Sequence, residues 1–132
     1  MKLLNFTFSS DLIGVDYGER YFDLHNNFDF VRYVREGDAL QLHWRKTKGA
    51  WVPDALPRDF RLAIGGVCYF EVRGDLSDCL DELGFFDNDT LGKVDYNGTA
   101  WAADGHEVLV LRFVGGGEIA VQGRSVTASS EE

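Results

Sequence analysis

Along residues 58–75, "RDFRLAIGGVCYFEVRGD", apolar and polar side chains alternate. Phe60, Leu62 and Ile64 stand at even positions, as do Cys68, Phe70 and Val72, while Asp59, Arg61, Glu71 and Arg73 fall between them. Period-two alternation marks a half-buried strand. One unbroken strand would outrun the usual length of roughly 3 to 10 residues and hold two glycines where they weaken it. The pattern therefore predicts a hairpin folded about Gly66. Phe60 would face Val72, Leu62 would face Phe70 and Ile64 would face Cys68, with Asp59 opposite Arg73 and Arg61 opposite Glu71. Each such pair contributes about 0.2 to 1 kcal/mol. A two-residue Gly65-Gly66 turn would set Phe60 against Glu71 and forfeit about 1.5 to 3 kcal/mol of Phe burial.

The same device recurs in "HEVLVLRFVGGGEIAVQGRSVTA". Leu109, Leu111 and Phe113 lead into Gly115–Gly117, Ile119 and Val121 lead out, and Val126 continues beyond a kink near Gly123. In "NNFDFVRYVREGDALQLHWRKTK", Phe28, Phe30 and Val34 approach Glu36-Gly37-Asp38, and Leu40, Leu42 and Trp44 leave it; Val31 and Tyr33, also apolar, leave its register open. "KLLNFTF" and "RYFDLH" each add a strand. In "GDLSDCLDELGFF", Leu76, Cys79, Leu80 and Leu83 share a face at helical spacing, so a short helix is expected over residues 76–83. Asp75 or Ser77 would cap it and Gly84 would end it. Residues 47–58 read as a loop, 86–105 as turn-rich with turns at Asn97-Gly98 and Asp104-Gly105, and 128–132 as a frayed tail. The expected fold class is α+β: one domain of six to eight mostly antiparallel strands, as a partly closed barrel or two-layer sandwich, with that one helix.

Composition supports a packed domain, since 45% of the 132 residues are apolar and 14% aromatic. Asn5, Ser9, Ser10 and Asp11 interrupt the apolar start, so no secretion signal is expected, and no apolar run is long enough to cross a bilayer. Two cysteines, Cys68 and Cys79, make no disulfide framework. A cytoplasmic protein with reduced thiols is expected, a Cys68–Cys79 bridge being the alternative.

Charge changes the functional picture. The net charge is −9, but residues 32–61 carry seven Lys/Arg against four Asp/Glu, a local +3, so the remainder carries −12. From Asp75 to Asp89 there are six acids and no base. Such a run is either a solvated face that keeps the chain soluble or a patch that attracts a basic partner, raising on-rate and selectivity more than affinity. "RYVREGDALQLHWRKTKGAW" interleaves basic and aromatic residues as single-strand binders do, yet the chain as a whole would repel phosphate, so no nucleic-acid partner is expected.

Other chemistry is thinly signalled. "DNDTLG" from Asp87 begins like a calcium loop, but Leu91 stands at its fifth place and Gly98 at its twelfth, where a bidentate Glu is needed. His25, His43 and His106 have no ligand spacing, so no metal or cofactor is expected. No GxSxG, HExxH or phosphate loop occurs. Cys68, in the apolar register, reads as an inert core thiol, and His43 as a residue of a sheet face. Trp51 and Trp101, in irregular segments, are either loop anchors or exposed docking residues.

The series "FRLAIGGVCYFEVRG", a short acidic helix, then "EVLVLRFVGGGEIAVQGRSVTA" resembles many small uncharacterised bacterial proteins, several sets of which resemble immunity proteins of polymorphic toxin systems. The likeness covers about the last 75 residues and lies in hairpin pattern and acidity. It implies a single-domain, non-enzymatic protein that binds and blocks a toxin. The expected function is thus a non-catalytic acidic domain engaging a basic protein partner. Asp75, Asp78, Asp81, Glu82, Asp87 and Asp89 would supply the field and Trp51 the anchor. The rival is a small-ligand β-barrel or small enzyme whose pocket gathers His43 or His106. An unpaired sheet edge would also allow a homodimer.

Overall fold

A computed structural model describes residues 1–87 and 107–132. The turns expected at Asn97-Gly98 and Asp104-Gly105, with Asp89, Trp101, His106 and most of "DNDTLG", lie outside the described residues. Twelve strands are described: β1 (Lys2–Leu3), β2 (Phe6–Phe8), β3 (Gly14–Tyr17), β4 (Arg20–Asp23), β5 (Phe28–Glu36), β6 (Ala39–Lys46), β7 (Asp59–Gly65), β8 (Tyr69–Arg73), β9 (Leu80–Asp87), β10 (Glu107–Phe113), β11 (Glu118–Gln122) and β12 (Ser125–Glu131). They form a five-stranded sheet β1-β12-β7-β6-β5, a four-stranded sheet β8-β11-β10-β9 and a three-stranded sheet β2-β3-β4. The fold is all-β. The expected α+β class, the helix and the count of six to eight strands are corrected among the described residues, where three sheets stand in place of the expected partly closed barrel or two-layer sandwich.

The segment expected to be helical, 76–83, runs instead into β9, which pairs with β10. Its helix-like spacing has a local cause. Arg112 faces Glu82 but Phe113 faces Leu80, so Asp81 is an extra residue bulged out of the ladder. Two residues then separate Leu80 from Leu83, both buried, and a strand shows the three-residue step of a helix. A helix of eight residues is marginal without tertiary support, whereas β9 gains a full ladder along β10.

The stretch 58–75 is strand on both sides of Gly66, but it is not a hairpin. β7 pairs with β6 and β12 in one sheet, and β8 with β11 in another. Phe60 therefore faces Trp44 and Ser130, not Val72, and Phe70 faces Val121, not Leu62. Both segments keep one antiparallel partner stretch, 118–131, and the two ribbons turn a corner together. Gly65 faces Ser125 and Tyr69 faces Gln122, so three residues on one ribbon oppose two, Gly123 and Arg124, on the other. Arg124 N–H donates to Gly65 O at 2.8 Å and Cys68 N–H to Gln122 O at 2.9 Å across the corner. Gly66 sits there at φ +66°, a conformation side chains resist. Strands that switch sheets at a bulge make corners of this kind. The extra residue flips the alternation: Val67 is buried and Cys68 is exposed, which overturns the expected core thiol.

The two other hairpins form. Leu109 faces Val121 and Leu111 faces Ile119 in β10–β11, while Val126 lies beyond the corner, on β12. β5 and β6 join through Gly37-Asp38, with Glu36 facing Ala39. Their open register is resolved by a bulge: Phe30 faces Trp44 but Arg32 faces His43, leaving Val31 extra. The tail expected to fray is strand. Ser129, Ser130 and Glu131 face Arg61, Phe60 and Asp59, and the Asn5 amide bonds both N–H and C=O of Ala128 at 2.8 Å.

The inner faces of the three sheets meet in one core, with Phe6, Phe8, Val15 and Phe22 from the smallest, Phe30, Trp44, Phe60 and Leu62 from the largest, and Leu83, Phe85, Leu111 and Ile119 from the third. At the β10–β11 turn a Cβ on Gly117 would lie 2.2 Å from Asp75 O, a backbone atom. Gly117→Ala is thus expected to displace residues 75–76 and destabilise by about 1 to 3 kcal/mol. Urea unfolding would measure this, and an unchanged midpoint would count against that contact.

Candidate functional site

The residues between β8 and β9 carry the acids expected to bind a partner. Asp75, Asp78 and Asp81 are exposed, and none of their carboxylates makes an ion pair among the described residues. Asp78 is anchored by its backbone, its carbonyl accepting Phe30 N–H at 2.8 Å. Asp81 projects because it is the bulged residue of β9. Glu82 differs: Arg112 holds it at 2.9 Å and also reaches Glu118 at 3.3 Å, so its charge is locally spent. Asp87 ends β9 opposite Glu107, and Asp89 lies outside the described residues. Of the six acids, Asp75, Asp78 and Asp81 stand exposed among the described residues, and Asp29 lies near enough to act on Cys79. Burial, then the charges of Asp78, Asp81 and Asp29, push the Cys79 thiol up from its ordinary range.

Cys79 and His25 sit within the same group, with Sγ 3.8 Å from Nδ1. They do not form a nucleophile and base. His25 Nδ1 lies 2.5 Å from Leu80 O, so that nitrogen carries the proton and donates it. It has no lone pair for the thiol, and a raised thiol stays protonated.

Trp51 is 65% exposed yet fixed. Its indole N–H donates to Asn26 O at 2.9 Å, and its ring lies over Gly49, where a Cβ would come within 2.4 Å of it. The Asn26 loop links it to the acids, because the preceding residue, His25, touches Cys79 and Leu80. In the sequence Trp51 lies in the local basic segment, 24 residues before the first of the acids it is expected to anchor. Long-range folding of the 24–27 loop brings them to one region, and no local pattern signals that.

The outward face of the five-stranded sheet holds a second polar group. His43 and Asp59 are 4% and 6% exposed, and His43 Nε2 donates to Asp59 Oδ1 at 2.7 Å. Arg58 Nε donates to Asp59 Oδ2 at 2.9 Å, and Arg45 lies 3.8 Å from Oδ1. Hydrogen bonding from His43, then from Arg58, holds the Asp59 carboxyl below the usual carboxylate range against the opposing effect of burial. Beside the pair is a cleft of about 270 Å³ lined by Asp59, Arg61, Ser129, Ser130 and Glu131. This is not a serine triad. Arg61 faces His43 on one side and Ser129 on the other, so the hydroxyl is two strand spacings, about 10 Å, from the ring. The pair ties β6 to β7, and Arg58 extends the tie toward Glu131 of β12 at 3.8 Å.

Among the described residues no three His, Cys, Asp or Glu side chains gather as a metal site, and no helix is long and apolar enough to cross a membrane. Comparison of the chain with protein-family models, with curated proteins and with solved structures finds no match.

Proposed function

We propose that this chain is a non-catalytic binding domain that engages a basic protein partner, in the manner of an immunity protein, through Asp29, Asp78, Asp81 and Trp51. The observation that carries this reading is the fixed, 65% exposed indole of Trp51, tied through Asn26 and His25 to the segment that bears the exposed Asp78 and Asp81, whose carboxylates make no ion pair among the described residues. An immobilised aromatic loses little entropy on docking and supplies a large contact area. Unpaired acids around it steer a basic surface toward that anchor. A small-ligand role rests on one observation, the buried His43–Asp59 pair beside its cleft. The arginine clamp on Asp59 explains that pair as structure.

Titration with a lysine-rich peptide, followed by amide and indole NMR shifts, tests the binding reading. Shifts are expected at Asp29, Asp78, Asp81 and the Trp51 indole, weakening as salt rises because exposed charges are screened beyond about 8 Å at physiological ionic strength. Asp78→Lys with Asp81→Lys is expected to weaken binding about tenfold. Shifts confined to the face around Asp59, or an affinity indifferent to salt and to both substitutions, would overturn it.

A further inference from the structure

β5 is the outer strand of its sheet, and its second half, Val31–Glu36, is exposed residue by residue. Val31 is 37% exposed, and Tyr33 and Val34 are 38% exposed. An edge with apolar side chains and open backbone groups is a template for another strand. Which backbone groups are open follows from the pairing. The two-residue loop makes Glu36 and Ala39 a hydrogen-bonded pair, and bonded and non-bonded pairs alternate along an antiparallel ladder. Glu36, Val34 and Arg32 therefore bond inward to β6, and Arg35 and Tyr33 turn their N–H and C=O groups outward. Before the bulge the phase reverses, and Phe30 N–H points outward to Asp78 O. Among the described residues the free edge thus runs from Val31 to Glu36 and is closed at Phe30.

We infer that this edge pairs antiparallel with the same edge of a second copy, in the register centred on Val34. Only registers that oppose Tyr33 or Arg35 to Tyr33 or Arg35 can join the outward backbone groups, which leaves three. Centring on Arg35 sets Arg35 against Arg35. Centring on Tyr33 sets the partner's Glu36 opposite Phe30, where Asp78 already occupies the edge. Centring on Val34 sets Tyr33 against the partner's Arg35 and Arg35 against the partner's Tyr33, and all four backbone bonds close. On the outer face Arg32 then meets the partner's Glu36 twice, on either side of a Val34–Val34 contact. On the inner face each Tyr33 meets an arginine, as Phe70 already does with Arg35 at 5.5 Å. Among the described residues Arg32 makes no ion pair, nor does Glu36, which leaves both charges to meet the partner. The product is one continuous sheet of two five-stranded halves.

Sedimentation equilibrium of the whole chain across micromolar to millimolar concentration tests this, with circular dichroism to confirm that each variant keeps its strands. A reversible dimer is expected. Arg32→Glu and Glu36→Arg alone each place like charges opposite one another twice, and each is expected to raise the dissociation constant at least about tenfold. Together they rebuild the pair with signs exchanged, and the double variant is expected to return to within about threefold of the starting value. Amide exchange supplies a readout without substitution: Tyr33 and Arg35 gain protection as concentration rises, and Val34 is protected throughout. A monomer at every concentration overturns the inference, as does a dimer whose affinity ignores both substitutions or a double variant as weak as the singles.

Discussion

Phe60→Ala is expected to lower the unfolding free energy by about 3 to 5 kcal/mol, the usual cost of emptying a large aromatic site in a close-packed core. Phe60 is fully buried and lies where two sheets meet. Its ring stands edge-on to Phe22 of β4 at 5.3 Å and near Trp44, Tyr17 and Phe28 at 6.1, 6.2 and 6.4 Å. The cavity would be walled by rings on rigid strands, which limits collapse into it. The substitution also distinguishes the two pairings of this segment. Paired with Phe22→Leu, it should show a coupling of about 1 kcal/mol, because the edge-to-face contact is lost once and cannot be lost again. Paired with Val72→Ala, it should be additive to within about 0.5 kcal/mol, because Val72 pairs with Ile119 in a different sheet. Denaturant unfolding of the single and double variants decides it. Strong coupling to Val72 with none to Phe22 would restore the hairpin and remove the corner.

The faces of the strands were legible in the sequence, but their partners were not. Alternation at Phe60, Leu62 and Ile64 reports which side of a ribbon is buried, and all three are. It carries no information on which strand lies alongside. The hairpin register was self-consistent because an apolar inner face meets an apolar inner face in any antiparallel pairing, and β12 satisfies β7 equally well, with Ala128 beside Leu62 and Val126 beside Ile64. Local hairpins such as β5–β6 and β10–β11 were readable because their turn residues stand between the paired runs. Bulges were the main obstacle. At Asp81 one extra residue converts a strand period into a helical one, at Val31 it hides the register, and at the Gly66 corner it reverses which of Val67 and Cys68 goes inside.

The candidate site was half legible. A run of acids without a base is visible in composition, and Asp78 and Asp81 do stand exposed. That Glu82 is neutralised follows from Arg112, thirty residues away and across the β9–β10 ladder. Asp29 was read only as part of a strand, and the loop that brings Trp51 toward the acids depends on tertiary hydrogen bonds to Asn26 and Leu80. Proximity of this kind is set by topology, so it appears only once the strands have partners.

Asp59→Ala is expected to destabilise the chain by about 1 to 3 kcal/mol at neutral pH, the cost of leaving a buried donor without its acceptor. His43 would keep its buried ring with no acceptor for Nε2–H, and Arg58 would lose its hydrogen-bonded partner. Asp59→Asn should cost less, because the amide oxygen still accepts from His43 while the charge is gone. The pH dependence separates the two contributions. Hydrogen bonds from His43 and Arg58 hold the folded Asp59 carboxyl below its unfolded value of 3.8. The unfolded chain therefore binds this proton more readily, and the stabilisation is fully present above about pH 4 and is lost as pH falls through the lower, folded value. Wild type should lose stability over that acid window more steeply than Asp59→Asn, and the two unfolding curves should converge as pH drops. A constant gap between them at every pH would mean that the carboxylate charge contributes nothing, and that the pair acts by packing and hydrogen-bond geometry alone.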